Sequence, residues 1–118
     1  MTRVAYLGPA GTFTEEAARR FGIEGAQYVP VESPAAALAA LDAGEAEYAV
    51  CAIENSIDGS VIPTLDSLAD GAPLQVYAEL TLDVAFTIAV RPGARGEDVD
   101  TIAAFPVAAA QVKRWLAE

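Results

Sequence analysis

The 118-residue chain contains no histidine. The commonest general base near neutral pH, and the commonest metal ligand, is therefore missing. Acid–base work would fall to carboxylates and hydroxyls, and no bound metal is expected. A single cysteine, Cys51, excludes an internal disulfide and fits a reducing compartment. Cations are scarce: 7 Lys and Arg stand against 17 Asp and Glu, a formal net charge of −10. That balance argues against a nucleic-acid partner, which calls for a basic surface. An anionic ligand would have to be held by local features, because the overall field repels it. No run approaches the length of about 18 apolar residues that a membrane span needs. The opening MTRVAYLG has neither an apolar signal core nor a cleavage site, so the chain reads as cytoplasmic.

What is present is enough for a folded domain. Apolar residues make up 53% and charged residues 20% of the chain, a globular balance over about one domain of length. Arg3–Leu7 reads as a strand ended by Gly8-Pro9. A helix follows, with Thr12 as its cap, Glu15 as the capping-box partner, and Phe13, Ala17, Ala18 and Phe21 on one face. Tyr28–Val31 is a second strand. Ser33 then caps a helix with Pro34 at its first position and Leu38 and Leu41 inward. Tyr48–Ile53 is a third strand, apolar on both faces as a parallel sheet between helices requires. Ser60 or Pro63 opens a third helix carrying Leu65 and Leu68, closed by Gly71. The order β-α-β-α-β-α predicts an α/β fold with right-handed crossovers.

From Leu74 to Val90 every even position is apolar, with no glycine or proline to mark a turn. Fully extended, this stretch would span roughly 55 Å, longer than a small domain is wide. The pattern predicts one extended segment shared by two sheets. Two antiparallel strands bending near Thr81–Asp83 are the alternative. Val99–Ala104 reads as a weak strand, and Pro106 opens a last helix running through Trp115. The expected division is a first α/β subdomain over 1–80 and the beginning of a second over 81–118. The second is too short to bury a core by itself.

In parallel α/β sheets ligands sit beyond the carboxyl ends of the strands. Two polar clusters fall at such ends: Gly8–Thr14 after the first strand and Glu54–Ser60 after the third. In the first, GPAGTFT, glycines precede a helix start, where free N–H groups and the helix dipole can hold a carboxylate or phosphate. Thr12 and Thr14 add hydroxyls. The same residues also make a plain tight turn with a cap. In the second, Glu54, Asn55 and Ser56 set an acid, an amide and an alcohol side by side at the mouth of an apolar strand. An Asx turn with Asp58-Gly59 at its tip accounts for the later residues but poorly for Glu54 and Asn55. Gln111 is a lone amide among small apolar residues of the last helix, either a ligand contact or a boundary residue. Cys51 reads as a small buried hydrophobe. Glu15-Glu16, Glu45, Glu47 and Glu97-Asp98-Asp100 read as solvated faces, and Arg91, Arg95, Lys113 and Arg114 as surface cations.

AYLGPAGTFT, VPVES, AIENSIDGSVIPTLDSL and the helix start FPVAAAQ resemble the N-terminal part of the prephenate dehydratase catalytic region, with the Glu-Asn-Ser stretch closest to its actinobacterial branch. The resemblance implies loss of water and carbon dioxide from prephenate to give phenylpyruvate, without a metal or organic cofactor. It also implies two α/β subdomains like those of periplasmic binding proteins, with the site in the cleft. Glu54 and Asn55 match the family's catalytic block and Ser56 a substrate contact beside it. Gly8, Pro9, Gly11, Thr12 and Thr14 match its first loop, and Gln111 matches a glutamine in its Ser-His-Pro-Gln helix start. Here Ala104-Phe105-Pro106-Val107 stands in that motif's place. The family's catalytic threonine lies in a Thr-Arg-Phe motif, which these residues do not contain. Nor do they contain the regulatory ACT domain that usually follows. The expectation is a fragment inactive alone, from a homo-oligomer, dimer or tetramer. The rival is a non-enzymatic small-anion-binding module of periplasmic-binding-protein type.

Overall fold

A computed structural model describes residues 1–118. The chain forms two units, Met1–Asp83 and Val84–Glu118.

In the first unit, β1 (Arg3–Leu7), β2 (Gln27–Val31) and β3 (Tyr48–Val50) form one parallel sheet in the order β2-β1-β3. Because β1 is central, its middle residues Val4, Ala5 and Tyr6 are shielded almost completely. Helix α1 (Phe13–Arg20) connects β1 to β2, and α2 (Pro34–Asp42) carries the chain back across β1 to β3. These connections step in opposite directions, so right-handed crossovers place the two helices on opposite faces of the sheet. The packing agrees. Ala5 meets Ala37 of α2 and Ala46, with Val31, Leu41, Ala49 and Cys51 around them, while Tyr6 reaches Glu15 of α1. Alanine at these contacts lets the α2 backbone sit close to the strands, and a larger side chain at Ala37 would overpack the layer. Helix α3 (Ile62–Asp70) packs on α2.

Local chemistry sets the helix starts. Ser33 Oγ accepts from Ala36 N at 3.0 Å, with Pro34 supplying a preset φ at the first position. Thr12 Oγ1 accepts from Glu15 N at 3.3 Å and donates to Leu7 O at 3.2 Å, so one hydroxyl joins the end of β1 to the start of α1. Gly8 continues the sheet, its N–H donating to Val31 O at 2.8 Å. A Cβ on Gly8 would come within 2.8 Å of the Pro30 Cβ, so this close approach requires glycine.

Several expectations about boundaries and later elements are corrected. The third strand ends at Val50 rather than Ile53, because its pairing with β1 stops at Tyr6↔Val50. The third helix begins at Ile62, capped by Val61 rather than by Ser60 or Pro63. The alternating run Leu74–Val90 belongs to no sheet, and neither does Val99–Ala104. Period-two alternation prepares a strand, but only a partner's ladder makes one.

The second unit holds a 3-10 turn (Gly96–Asp98) with an Arg95–Glu97 ion pair, and two short helices, α4 (Pro106–Gln111) and α5 (Lys113–Leu116). The single helix expected over Pro106–Trp115 is broken at Val112, whose ψ of 12° leaves the helical region. A β-branched residue and a start without a side-chain cap leave this helix little support of its own. No residue of this unit is fully buried, and Phe86, Ile88, Phe105 and Trp115 remain exposed.

The Gly8 contact yields a direct test. Gly8→Ala is expected to lower stability in urea unfolding by about 1–3 kcal/mol. Gly96→Ala, where an added methyl meets nothing within 4 Å, should change it by less than about 0.5 kcal/mol.

Candidate functional site

Strands β1 and β3 are neighbours and parallel, so the chain leaves both at the same sheet edge. Adjacent strands lie about 4.8 Å apart. The segments after Leu7 and after Val50 therefore start side by side, which brings Gly8–Thr14 and the approach to Glu54–Ser60 to one edge.

Beyond β3 the chain forms a tight hairpin, with β4 (Glu54–Asn55) antiparallel to β5 (Gly59–Ser60) and Asn55 opposite Gly59. Asn55 builds its turn: Oδ1 accepts from Ile57 N at 2.9 Å and from Asp58 N at 3.2 Å. Gly59 closes it at φ +80°, a conformation that suits glycine. The Asx-turn reading therefore accounts for Asn55 as well as for the tip, contrary to expectation. With Oδ1 committed, the Nδ2 donors are what Asn55 can offer a ligand. Glu54 and Ser56 flank it and are exposed, while Asn55 is half-buried.

The hairpin's base is fixed to α3. Thr64, only 2% exposed, donates from Oγ1 to Ala52 O at 2.7 Å, and Val61 N donates to Ile53 O at 2.9 Å. Sequence reasoning assigned Thr64 no such role. Its signal was a hydroxyl in the first turn of the helix that follows the polar cluster.

Of the two readings of the Gly8–Thr14 turn, amides open to a ligand carboxylate or a tight turn with a cap, the bonds fit the second: Gly11 N donates to Glu15 Oε2 at 2.6 Å. Glu15 N bonds Thr12 Oγ1, and Glu16 N donates to Thr12 O at 3.1 Å. Glu15 is buried rather than part of a solvated face, and it bypasses the capping-box position to reach Gly11. Its other oxygen accepts from Arg19 Nε at 2.9 Å and from the Arg19 terminal nitrogen at 2.6 Å. The Gly11 N–H, and then Arg19, hold its carboxyl below the usual range. The buried Tyr6 hydroxyl bonds the same carboxylate, and burial first, then the Glu15 charge, push the Tyr6 pKa up. Arg19 in turn lies 4.4 Å over the Tyr28 ring. Glu47 is likewise anchored, accepting Arg3 N at 2.6 Å, and its pKa falls for that reason.

Of the other candidates, Thr12 spends its hydroxyl on the β1–α1 junction, and Thr14 sits half-buried in the first turn of α1. Pro9 is exposed at a cis Gly8–Pro9 bond. Gln111 is the last residue of α4, in the second unit. Cys51 is half-buried, and desolvation pushes its thiol up to about 11, unsuited to nucleophilic work at neutral pH. A surface groove of about 470 Å³ along the start of α1 is lined by Gly11, Thr12, Phe13 and Glu16. Another of about 310 Å³ lies between α2 and α3. Neither is lined by Glu54, Asn55 or Ser56.

Two outcomes follow from these bonds. Asn55→Ala should speed amide exchange at Ile57 and Asp58 by about tenfold, the equivalent of one lost hydrogen bond, while Asn55→Asp, which keeps the acceptor, should retain most protection. Glu15 and Glu47 both have depressed pKa values in the folded chain. Their contribution to stability is therefore complete above the ordinary carboxylate range and is lost as pH falls through the lowered values. Melting temperature measured against pH should drop on that acid side, and Glu15→Gln should flatten the drop.

A family model described as prephenate dehydratase matches residues 4–118. A prephenate dehydratase of Mycolicibacterium gilvum is 62% identical over 100% of this chain and 42% of its own length. One of Mycobacterium tuberculosis is 60% identical, covering 99% of this chain and 39% of its own length. The X-ray structure of prephenate dehydratase from Streptococcus mutans aligns with a TM-score of 0.57 at 35% identity, covering 61% of this chain and 37% of that one. The chain thus spans about two fifths of the length of the curated relatives it matches, and with the match running through the sheet, the glycine turn and the Glu-Asn-Ser hairpin, it belongs to the prephenate dehydratase family.

Proposed function

We propose that this chain is the N-terminal part of the catalytic region of a prephenate dehydratase, a carbon–oxygen lyase of phenylalanine biosynthesis. The supporting observation is the parallel pairing of β1 with β3, which starts the Gly8–Thr14 turn and the segment leading to Glu54–Ser60 side by side. In the reaction the ring hydroxyl departs as water, the ring carboxylate departs as carbon dioxide, and the remaining six-membered ring becomes aromatic, leaving phenylpyruvate. Aromatisation supplies the driving force, so the protein's task is to orient the substrate and to protonate the leaving hydroxyl.

In this reading Glu54 and the Asn55 Nδ2 donors orient the ring hydroxyl and its proton donor, and Ser56 contacts the substrate. Gly8, Pro9, Gly11, Thr12 and Thr14 form a wall of the pocket. Several donors of this turn already have partners, so its part is shape more than capture of a carboxylate. Gln111, which matches the family's glutamine, is a further candidate for substrate binding. The proton donor is the threonine of a Thr-Arg-Phe motif, a tripeptide that does not occur in these 118 residues. It belongs, on this reading, to the part of the enzyme that the relatives have and this chain does not span. The second unit is the beginning of a second α/β subdomain, and the exposed Phe86, Ile88, Phe105 and Trp115 fit a surface that further chain covers. The enzyme is cytoplasmic and homo-oligomeric, and it uses no metal or organic cofactor.

Ultraviolet assay of phenylpyruvate formation from prephenate tests the proposal. The 118-residue chain alone should show no turnover above the uncatalysed rate. A chain extended to the length of the relatives should turn over, and Glu54→Gln or Asn55→Ala in it should lower kcat by about 10²-fold or more. An extended chain without activity on prephenate would overturn the proposal.

A further inference from the structure

Glu15 is the only carboxylate of the chain that is buried. Capping alone does not explain its bonds, since a capping box would turn the side chain to the amide of Thr12 and here it goes to Gly11. Nor is it an ordinary exposed i,i+4 pair of small consequence. The Glu15 side chain is 12% exposed, and both of its oxygens are engaged, one on the turn and one on Arg19. The tie continues into the sheet, with Arg19 stacked on Tyr28 of β2 and the Tyr6 hydroxyl of β1 on the same carboxylate. The exposed Glu16–Arg20 pair of the same helix, at 2.7 Å, shows what the spacing makes without burial.

We propose that Glu15 is a positioning residue for the candidate site: held by Arg19, its carboxylate grips the Gly11 amide, sets the place of the Gly8–Thr14 turn at the sheet edge, and closes that amide to anionic ligands. The turn of this protein carries its own internal anion. Any ligand carboxylate that reaches the shared edge is directed away from Gly11, toward donors such as Asn55 Nδ2. This consequence for the substrate rests on the function proposed above, whereas the grip on Gly11 does not.

The test follows the Gly11 amide of the 118-residue chain by proton–nitrogen NMR. In the wild type its shift should follow a single ionisation below the ordinary carboxylate range. The groups facing Glu15 are Arg19 of α1 and Tyr6 of β1, with Tyr28 of β2 behind Arg19; the Glu15→Gln variant assigns the transition. Arg19→Met should move that transition to higher pH, and Glu15→Gln should abolish it. Amide exchange at Gly11 should quicken about tenfold or more in Glu15→Ala, which removes the charged acceptor. Inorganic phosphate should leave the wild-type Gly11 amide unmoved. A Gly11 shift indifferent to acid, a transition unchanged by Arg19→Met, or displacement of the wild-type amide by phosphate would each overturn the inference. These readings use the wild type and a helix-surface variant as well as Glu15→Gln, so a poorly folded Glu15→Gln does not decide the matter. They also use no prephenate. An extended chain that fails to act on prephenate while Gly11 still titrates with Glu15 would remove the proposed function and leave the positioning role standing.

Discussion

Tyr6 of β1 pairs with Val50 of β3 in a parallel register, and the functional geometry of the first unit rests on that pairing. It requires β1 to lie between β2 and β3, which in turn requires β1 to be apolar on both faces, and Val4, Ala5 and Tyr6 meet that condition. Were β3 paired with β2 instead of β1, its exit point would move away from the glycine turn, and the hairpin that follows would lose its relation to that turn. The small residues of α2 and Ala46 serve the same constraint, because a central strand buried on two sides leaves room only for close helix packing.

At the edge so defined, most polar groups serve the backbone before they can serve a ligand. Thr12 joins strand to helix, Asn55 folds its own turn, Thr64 ties the hairpin to α3, and Glu15 occupies the Gly11 amide. Such internal partners hold the loops in place, as buried or turn-forming polar groups must be paired to avoid a desolvation cost. They also narrow the set of groups left for recognition. Glu54, Ser56 and one end of the Asn55 amide stand out because the fold does not consume them. A scaffold committed to its own backbone, with a few uncommitted groups beside it, is suited to orienting a ligand rather than to attacking it.

The second unit follows a different logic. Its sequence has strand alternation over Val84–Val90 and a proline-started helix, yet only helical turns form and no side chain is fully buried. Hydrogen-bonded strands need partners, and short helices gain most of their stability from packing. Arg95–Glu97 and the Asp98 carboxylate accepting Arg95 N at 3.4 Å organise one turn locally, which is as much as local interactions can do.

The sequence by itself determined the elements whose signals are local. Thr12 and Ser33 as caps, Pro34 at a helix start, the strand at Arg3–Leu7 and the α/β order all follow from residue chemistry within a few positions. The sharing of an edge by the two polar clusters was also legible, since parallel strands separated by helices leave no other arrangement. Only tertiary structure decided which polar groups remain for a ligand. Glu15 looked solvated until α1 lay against β1 and turned it toward Gly11, and Asn55 looked uncommitted until the hairpin closed beneath it. The alternation of Leu74–Val90 could not become a strand on pattern alone. Each of these outcomes depends on partners distant in sequence or on the exact closure of a turn, and hydrogen bonds to such partners are written in no single stretch of residues.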